Sequence, residues 1–316
     1  MKNKIIIFSG PTAVGKTSIS IDVAKILDAE IVNFDSLLFY QELNIGTAKP
    51  NIEEMRNIPH HLVGSHSIYN PINAAGFFKE AIPIINKIHA REKVVILVGG
   101  SGFYLQTILN GMYESTTTSN EVLKKSDLLY TAESIPPFRE ILKINDIESF
   151  KLYHENDHYR IRRAVEHFWM TGKKFSTSRA EMAISQKKSP ATKYNWDIEH
   201  NYLDIPKEQH FEIIQARTDE MIHNGLIEET RNLLTQGATG LEKPMQSIGY
   251  KETISYLRGE FSDIDAYKER LSINTRRLAK SQRTWFKKLE KVCYNSLTDK
   301  NEIIQSYIRN DKYHGS

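Results

Sequence analysis

Consecutive apolar runs alternate with stretches of helical periodicity over the first third of the chain. KIIIFS (4–9) is a short β-branched run that predicts a fully buried strand. KTSISIDVAKIL (16–27) places apolar residues every three to four positions and predicts a helix. AEIVNFD (29–35) predicts a second strand that ends in an acid. INAAGFFKEAIPIINKIHARE (72–92) predicts a helix, and KVVILVGGSG (93–102) a third buried strand that ends in glycines. Strands alternating with helices predict an α/β fold, a parallel sheet with helices on both faces.

The pattern changes after about residue 112. YESTTTSNEV (113–122) is polar and turn-like, and from there to about 196 the periodicity is helical. EHNYLDI (199–205) reads as a return to the sheet. The expected division is a core of 1–112 and 198–316 with a mostly helical insertion at 113–197. Further helices are predicted at 207–223, 226–236 and 247–258, with a long basic helix near 264–290. Residues 292–295 predict a last strand, and 310–316 a frayed tail.

Composition adds little to this: 40% hydrophobic and 26% charged residues in a chain of 316 is ordinary for a soluble protein. The single cysteine, Cys293, cannot form an internal disulfide and points to a reducing compartment; it reads as a small buried apolar residue. No apolar run approaches the ~20 residues of a membrane span. The run after MKNK is too short for a signal peptide. A cytoplasmic protein with no membrane segment, acting as a monomer, is expected. Charge changes the picture more. The net +3 conceals ten Lys/Arg against four Asp/Glu in 151–193, and eight against one in 270–291. Such stretches suit a polyanion partner, although charge alone fits a solvated helix face equally well.

Gly10-Pro11-Thr12-Ala13-Val14-Gly15-Lys16-Thr17 fits G-x-x-x-x-G-K-[ST] and lies between a predicted strand and a predicted helix. Glycines let backbone N–H groups turn toward an anion, and the helix N-terminus adds partial positive charge. Lys16 supplies a point charge and Thr17 a hydroxyl for Mg2+. The loop selects consecutive phosphates rather than ATP as such. A P-loop NTPase usually also carries an apolar strand ending in Asp for the metal. Here VVILVGGSG ends in glycines and Ser101. Asp35 follows the second strand, at the sheet edge where α/β ligands sit. It can accept a proton from a nucleophile or simply close a turn.

DSLLFYQELNIGTAKP (35–50), together with GPTAVGKT, resembles the tRNA dimethylallyltransferase (tRNA isopentenyltransferase) family. Further matches follow in the family's order: PHHL (59–62), LVGGSGFYL (97–105), NDHYRIRRAVE (156–166) with TGK (171–173), GLIEE (225–229), QSIGYKE (246–252) and TRRLAKSQRTWF (275–286). The resemblance covers about residues 4–290. It implies a P-loop NTPase-like core and transfer of a dimethylallyl group from its diphosphate to the exocyclic amine of an adenosine. That adenosine lies immediately 3′ of the anticodon in tRNAs reading U-starting codons, and pyrophosphate is released. Residues 10–17 would then hold dimethylallyl diphosphate.

By the same resemblance, Lys16, Arg217 and Mg2+ near Thr17 stabilise the leaving group. Asp35 accepts the amine proton, and Ser101 supplies the hydroxyl that is usually Thr. Asp35, Ser36, Leu37 and Leu38 line the pocket for the splayed-out base, with Leu38 standing where many members have Gln. Tyr159, Arg160, Ile161, Arg162 and Arg163 of the insertion match a segment that contacts tRNA, as do Gln246, Ser247, Ile248, Gly249, Tyr250 and Lys251. Arg276, Arg277, Lys280 and Arg283 fall about one helical turn apart and read as a basic face. Trp285 and Phe286 read as core anchors. Leu123 and Ser281 stand where the family has arginines. Adjacent His60 and His61 point apart and are given no metal role. Three readings compete on the residues alone: a small-molecule ATP kinase, a prenyltransferase acting on free adenine nucleotide, and a non-catalytic RNA-binding protein.

Overall fold

The computed structural model describes residues 3–111, 118–185 and 189–309. The expected boundary at 112–113 and the expected tail at 310–316 lie outside the described residues. The chain forms two compact units, Met1–Leu109 with Tyr194–Ser316, and Asn110–Lys193.

In the first unit the elements run β1 (Lys4–Ser9), α1 (Lys16–Leu27), β2 (Glu30–Asn33), β3 (His60–His61), α2 (Ala74–His89), β4 (Val95–Gly99) and α3 (Gly102–Asn110). The second unit carries α4 (Asn120–Glu133), α5 (Pro136–Asn145), α6 (Ile147–Leu152), α7 (His158–Thr171), α8 (Phe175–Ser185) and α9 (Pro190–Lys193). The first unit then resumes with β5 (Asp197–Asp204), α10 (Lys207–His223), α11 (Leu226–Thr235), α12 (Tyr250–Leu257), α13 (Ile264–Phe286), β6 (Val292–Asn295) and α14 (Lys300–Arg309).

Among the described residues six strands form one parallel sheet in the order β3-β2-β4-β1-β5-β6. Alternate side chains of a strand point to opposite faces. Ile5, Ile6, Ile7 and Phe8 are all fully buried, so both faces of β1 are covered. Ile6 and Phe8 pack with Ile96, Val98 and Leu203, beneath Ile19, Val23 and Leu27 of α1 and Ile303 and Tyr307 of α14. Helix α2 packs on β2 and β4 with Phe77, Ala81 and Ile85, which stand apart from that cluster. Another core joins the segment after β2, through Tyr40 and Leu43, to Leu226, Met245, Tyr250, Tyr267 and Leu271.

All regular elements among the described residues of the second unit are helices. Their core is Ile135, Phe138, Leu142, Ile161, Ala164 and Val165, drawn from α5, α7 and the residue before α5.

The structure departs from the sequence expectations at several points. Strand β3 has only two residues, both histidine, and offers no apolar run to read. Helix α14 was not expected; Ile303 and Tyr307 make it amphipathic against α1. Helix α12 starts at Tyr250 rather than 247, because Gly249 has φ 102°. Cys293 is exposed, not buried: β6 is the edge strand, and Val292 is 53% exposed beside it. Among the described residues no helix is long and apolar enough to cross a membrane.

One buried histidine ties the sheet to the chain beyond α13. His200 Nδ1 lies 3.2 Å from the Glu290 carbonyl, which can only accept, so Nδ1 carries the proton. Nε2 therefore accepts from the Ser9 hydroxyl at 2.7 Å. Burial lowers the His200 pKa from 6.5 to about 4. The unfolded chain takes up this proton first as pH falls. The neutral histidine's contribution is thus complete above pH 6.5 and is lost progressively toward pH 4. The loss amounts to on the order of 3 kcal/mol. Urea-unfolding midpoints are expected to fall over that window, and less steeply in His200→Gln. An equally steep fall in the variant would refute the assignment.

Candidate active site

The phosphate loop takes its shape from two glycines. Gly10 has φ 148°, and a Cβ there would sit 2.1 Å from the Leu203 carbonyl oxygen of neighbouring β5. Gly15, the residue before α1, has φ 79°, a left-handed conformation that glycine adopts without steric cost. The loop thus leads directly into the N-terminus of a 12-residue helix, whose first N–H groups and partial positive charge suit an anion. Lys16 Nζ donates to the carbonyls of Gly10 and Pro11 at 3.1 and 2.6 Å.

Asp35 is set by its own segment. The buried Asn33 accepts the Asp35 N–H at 2.8 Å and donates to the Asp35 carbonyl at 3.1 Å and that of Leu62 at 2.9 Å. The Asp35 carboxylate in turn accepts the Leu37 N–H at 3.1 Å. Ser101, after β4, accepts the Ser36 N–H at 2.9 Å. A hydroxyl accepting a bond still has its own proton to donate.

Residues 12–17, Asp35, Leu38 and Arg217 line one cavity of about 460 Å³, closed on its other sides by Thr47, Pro50, Arg56, His60 and Val63. Burial lowers the Lys16 pKa to about 8, opposed by Asp35 and reinforced by Arg217. Arg217, on α10, is lowered by burial and held charged by Asp35 and Glu220. Two cations and one carboxylate therefore line one small cavity. Such a site attracts an anion with several charges and leaves a carboxylate beside it.

The far wall is held from a distance. Glu229 of α11 accepts N–H groups from Asn44 (3.1 Å), Ile45 (2.9 Å) and Gly46 (3.3 Å), and the Tyr250 hydroxyl at 2.6 Å. Lys49 donates to the Tyr40 and Gln41 carbonyls and to Asn44 Oδ1. These bonds shape residues 44–50, which have no regular structure of their own.

Several expected contacts take a different form. Leu37 packs into the core of α11–α13 and is not in the cavity wall; Leu38 is. Tyr250 is fully buried because its ring fills that core and its hydroxyl meets Glu229, so its side chain has no surface to offer. Ile161 is likewise a core residue of the second unit. Around it Tyr159 is 71% exposed, Arg160 pairs with Asp157, and Arg163 pairs with Glu166. Arg162 lies over the Tyr130 ring and bonds Ser126 and Asp127. Gln246 donates to the Gly240 carbonyl and Ser247 to that of Pro244, with Ile248 half-buried, Gly249 at the start of α12 and Lys251 exposed. On α13, Arg277 and Lys280 are exposed and Arg276 lies over Phe211. Arg283 is not part of that basic face; it is mostly buried and forms a bidentate pair with Asp204. Phe286 is fully buried and Trp285 packs against Gly102, as core anchors do.

Sequence reasoning missed Asn33, Glu229 and His60 as parts of the site. His60 Nδ1 donates to the Ile58 carbonyl at 2.7 Å. Its buried Nε2, in a residue lining the cavity, has no hydrogen-bond partner among the described residues. His61 faces the other way and bonds Glu30, as strand alternation requires.

Comparison with known proteins bears on what this cavity serves. The family model described as IPP transferase matches residues 38–289. A tRNA dimethylallyltransferase of Caldanaerobacter subterraneus is 38% identical over 291 residues, 91% of this chain and 90% of that protein. Another, from Geotalea uraniireducens, is 37% identical over 290 residues, again 91% and 90% of the two chains. Among solved structures, a tRNA isopentenylpyrophosphate transferase from Staphylococcus epidermidis matches with a TM-score of 0.70 at 32% identity, over 99% of this chain and 100% of that one. A eukaryotic dimethylallyltransferase acting on tRNA matches with a TM-score of 0.79 at 26% identity, over 99% and 80%. With a parallel α/β core, a phosphate loop facing an aspartate, and matches over most of its length, this chain belongs to the IPP transferase family and is a transferase.

Proposed function

We propose that this transferase moves a dimethylallyl group from its diphosphate to the exocyclic amine of the adenosine immediately 3′ of the anticodon, in tRNAs reading U-starting codons. The observation that carries the reading is that Lys16, Thr17, Asp35 and Arg217 line a single cavity. Residues 10–17 would bind the diphosphate. The adenine N6 lone pair attacks the allylic carbon while the carbon–oxygen bond to the diphosphate breaks. Pyrophosphate leaves against the loop amides, Lys16 and Arg217, and the amine proton passes to Asp35. The Ser101 hydroxyl can donate a hydrogen bond to a leaving oxygen and keep its proton.

Thr17 presents a hard oxygen donor to the same cavity, which fits Mg2+ completed by diphosphate oxygens and water and leaves Asp35 for the amine proton. Bound there, the ion would neutralise charge on the leaving group. The base must be splayed out of its stack to reach Asp35, between Leu38 and the Ser36 backbone. The exposed Tyr159 and Arg160, and Arg276, Arg277 and Lys280, supply surface for tRNA, with the second unit gripping the anticodon arm. One chain supplies every group named, so no second subunit is needed, and a cytoplasmic setting fits a tRNA substrate.

Purified protein is given unmodified tRNA whose anticodon ends in A, labelled dimethylallyl diphosphate and Mg2+, without ATP. Label is expected in the tRNA and lost when that single adenosine is replaced. Labelled free AMP, or ATP consumption without tRNA labelling, would overturn the reading. Asp35→Ala is expected to lower turnover by about 10²- to 10⁴-fold while tRNA affinity holds, measured by single-turnover kinetics and filter binding. Parallel loss of both would remove the base assignment. Lys16 must be charged to hold the diphosphate, and it loses its proton as pH rises through about 8. Accordingly kcat/KM for the diphosphate is expected to decline above that pH, with Lys16→Ala low throughout and lacking the decline. A decline that persists in the variant would assign it to another group.

A further inference from the structure

Three residues near the end of α13 reach the two backbone segments that frame the cavity. Gln282 Oε1 accepts the Thr12 N–H at 2.9 Å, and its Nε2 donates to the Gly100 carbonyl at 3.0 Å. The partners fix the amide orientation, since an N–H faces one end and a carbonyl the other. Arg283 donates to Asp204 and to His210 Nδ1 at 2.7 Å. That leaves the histidine proton on Nε2, from which it is donated to the Thr12 carbonyl at 2.8 Å. Both ends of one phosphate-loop residue are therefore held through adjacent residues of one helix. Trp285 closes the other side: a Cβ on Gly102 would lie 2.1 Å from its ring. None of these bonds is needed to bury α13, which already packs through Tyr267, Leu271, Ala279 and Phe286.

We propose that Gln282 is a positioning residue that locks the phosphate loop to the turn after β4, and that through it α13 couples polyanion binding to the diphosphate cradle. The helix has 23 residues, and Arg277 and Lys280 are exposed on it, five and two residues before Gln282. A continuous α-helix moves as a rigid unit over two turns, so a phosphate backbone seated on those cations fixes Gln282 and hence Thr12. Binding free energy linked in this way is reciprocal: the diphosphate would tighten the polyanion by the same factor. Gln282 touches no transferred group. The inference rests on the diphosphate reading above.

The test uses the full chain with tRNA and dimethylallyl diphosphate. Wild-type transfer is measured first; its absence would sink the underlying reading, not this inference alone. Gln282→Met keeps the length of the side chain and removes both hydrogen bonds. Its KM for the diphosphate is expected to rise roughly 10- to 30-fold, the loss of two bonds of ordinary strength. tRNA affinity without diphosphate should hold, and the factor by which saturating tRNA tightens the diphosphate should fall toward one. Should the methionine variant not fold, Gln282→Glu keeps the acceptor for Thr12 and loses the donor to Gly100; a reduced coupling factor is again expected. A folded variant with a lowered melting temperature but unchanged diphosphate KM and unchanged coupling would overturn the proposal and leave Gln282 a purely structural residue.

Discussion

Strand β1 has no solvent-facing side. Its edges are paired to β4 and β5, and its apolar side chains are covered on both faces, so its backbone and side chains are fully satisfied up to Ser9. The chain leaves at one edge of the sheet. There Gly10 lies too close to Leu203 for any side chain, and the chain folds back into α1. The N–H groups of that turn have no strand to pair with. Apart from Thr12, whose N–H is accepted by Gln282, they are left to the N-terminus of α1, where an anion can satisfy them. Because β4 lies between β1 and β2, the ends of all three strands flank this point. Asp35 and the 99–101 turn arrive there by topology rather than by separate design.

Electrostatics follows from the same geometry. Lys16 and Arg217 line the same cavity, and their burial costs free energy that Asp35 only partly offsets. Lys16 rests meanwhile on the Gly10 and Pro11 carbonyls. A multivalent anion relieves both cations at once. Affinity and the depressed Lys16 pKa are thus two expressions of one arrangement.

How much of this could be read from sequence depends on the range of the interaction. β1, α1 and β4 were legible because a buried parallel strand is a continuous apolar run, and α1 has helical spacing. Asp35 was legible as an acid at a strand end. The two-residue β3 and the anchors Asn33, Glu229 and Gln282 carry no periodic signature. Glu229 and Gln282 are single polar residues whose partners are backbone groups far away in the sequence, and Asn33 joins its near neighbour Asp35 to the distant Leu62. Motif matching also cannot separate wall from surface. Ile161 and Tyr250 lie inside matched segments because they hold those segments in shape, and Arg283 sits in register with a basic face while its guanidinium turns inward to Asp204.

The carboxylate of Glu229 has a further consequence for biosynthesis. The wall formed by residues 44–50 depends on it, yet Asn44 and Glu229 are 185 positions apart. During translation the amino-terminal strands emerge long before that partner exists. β2 and α1 can collapse early and Lys49 can bond its near neighbours, but the Glu229 anchor of the wall is missing until α11 leaves the ribosome, and closing so long a loop is slow. The nascent chain therefore carries its phosphate loop for most of its synthesis with the opposite wall unformed, and becomes competent only near completion.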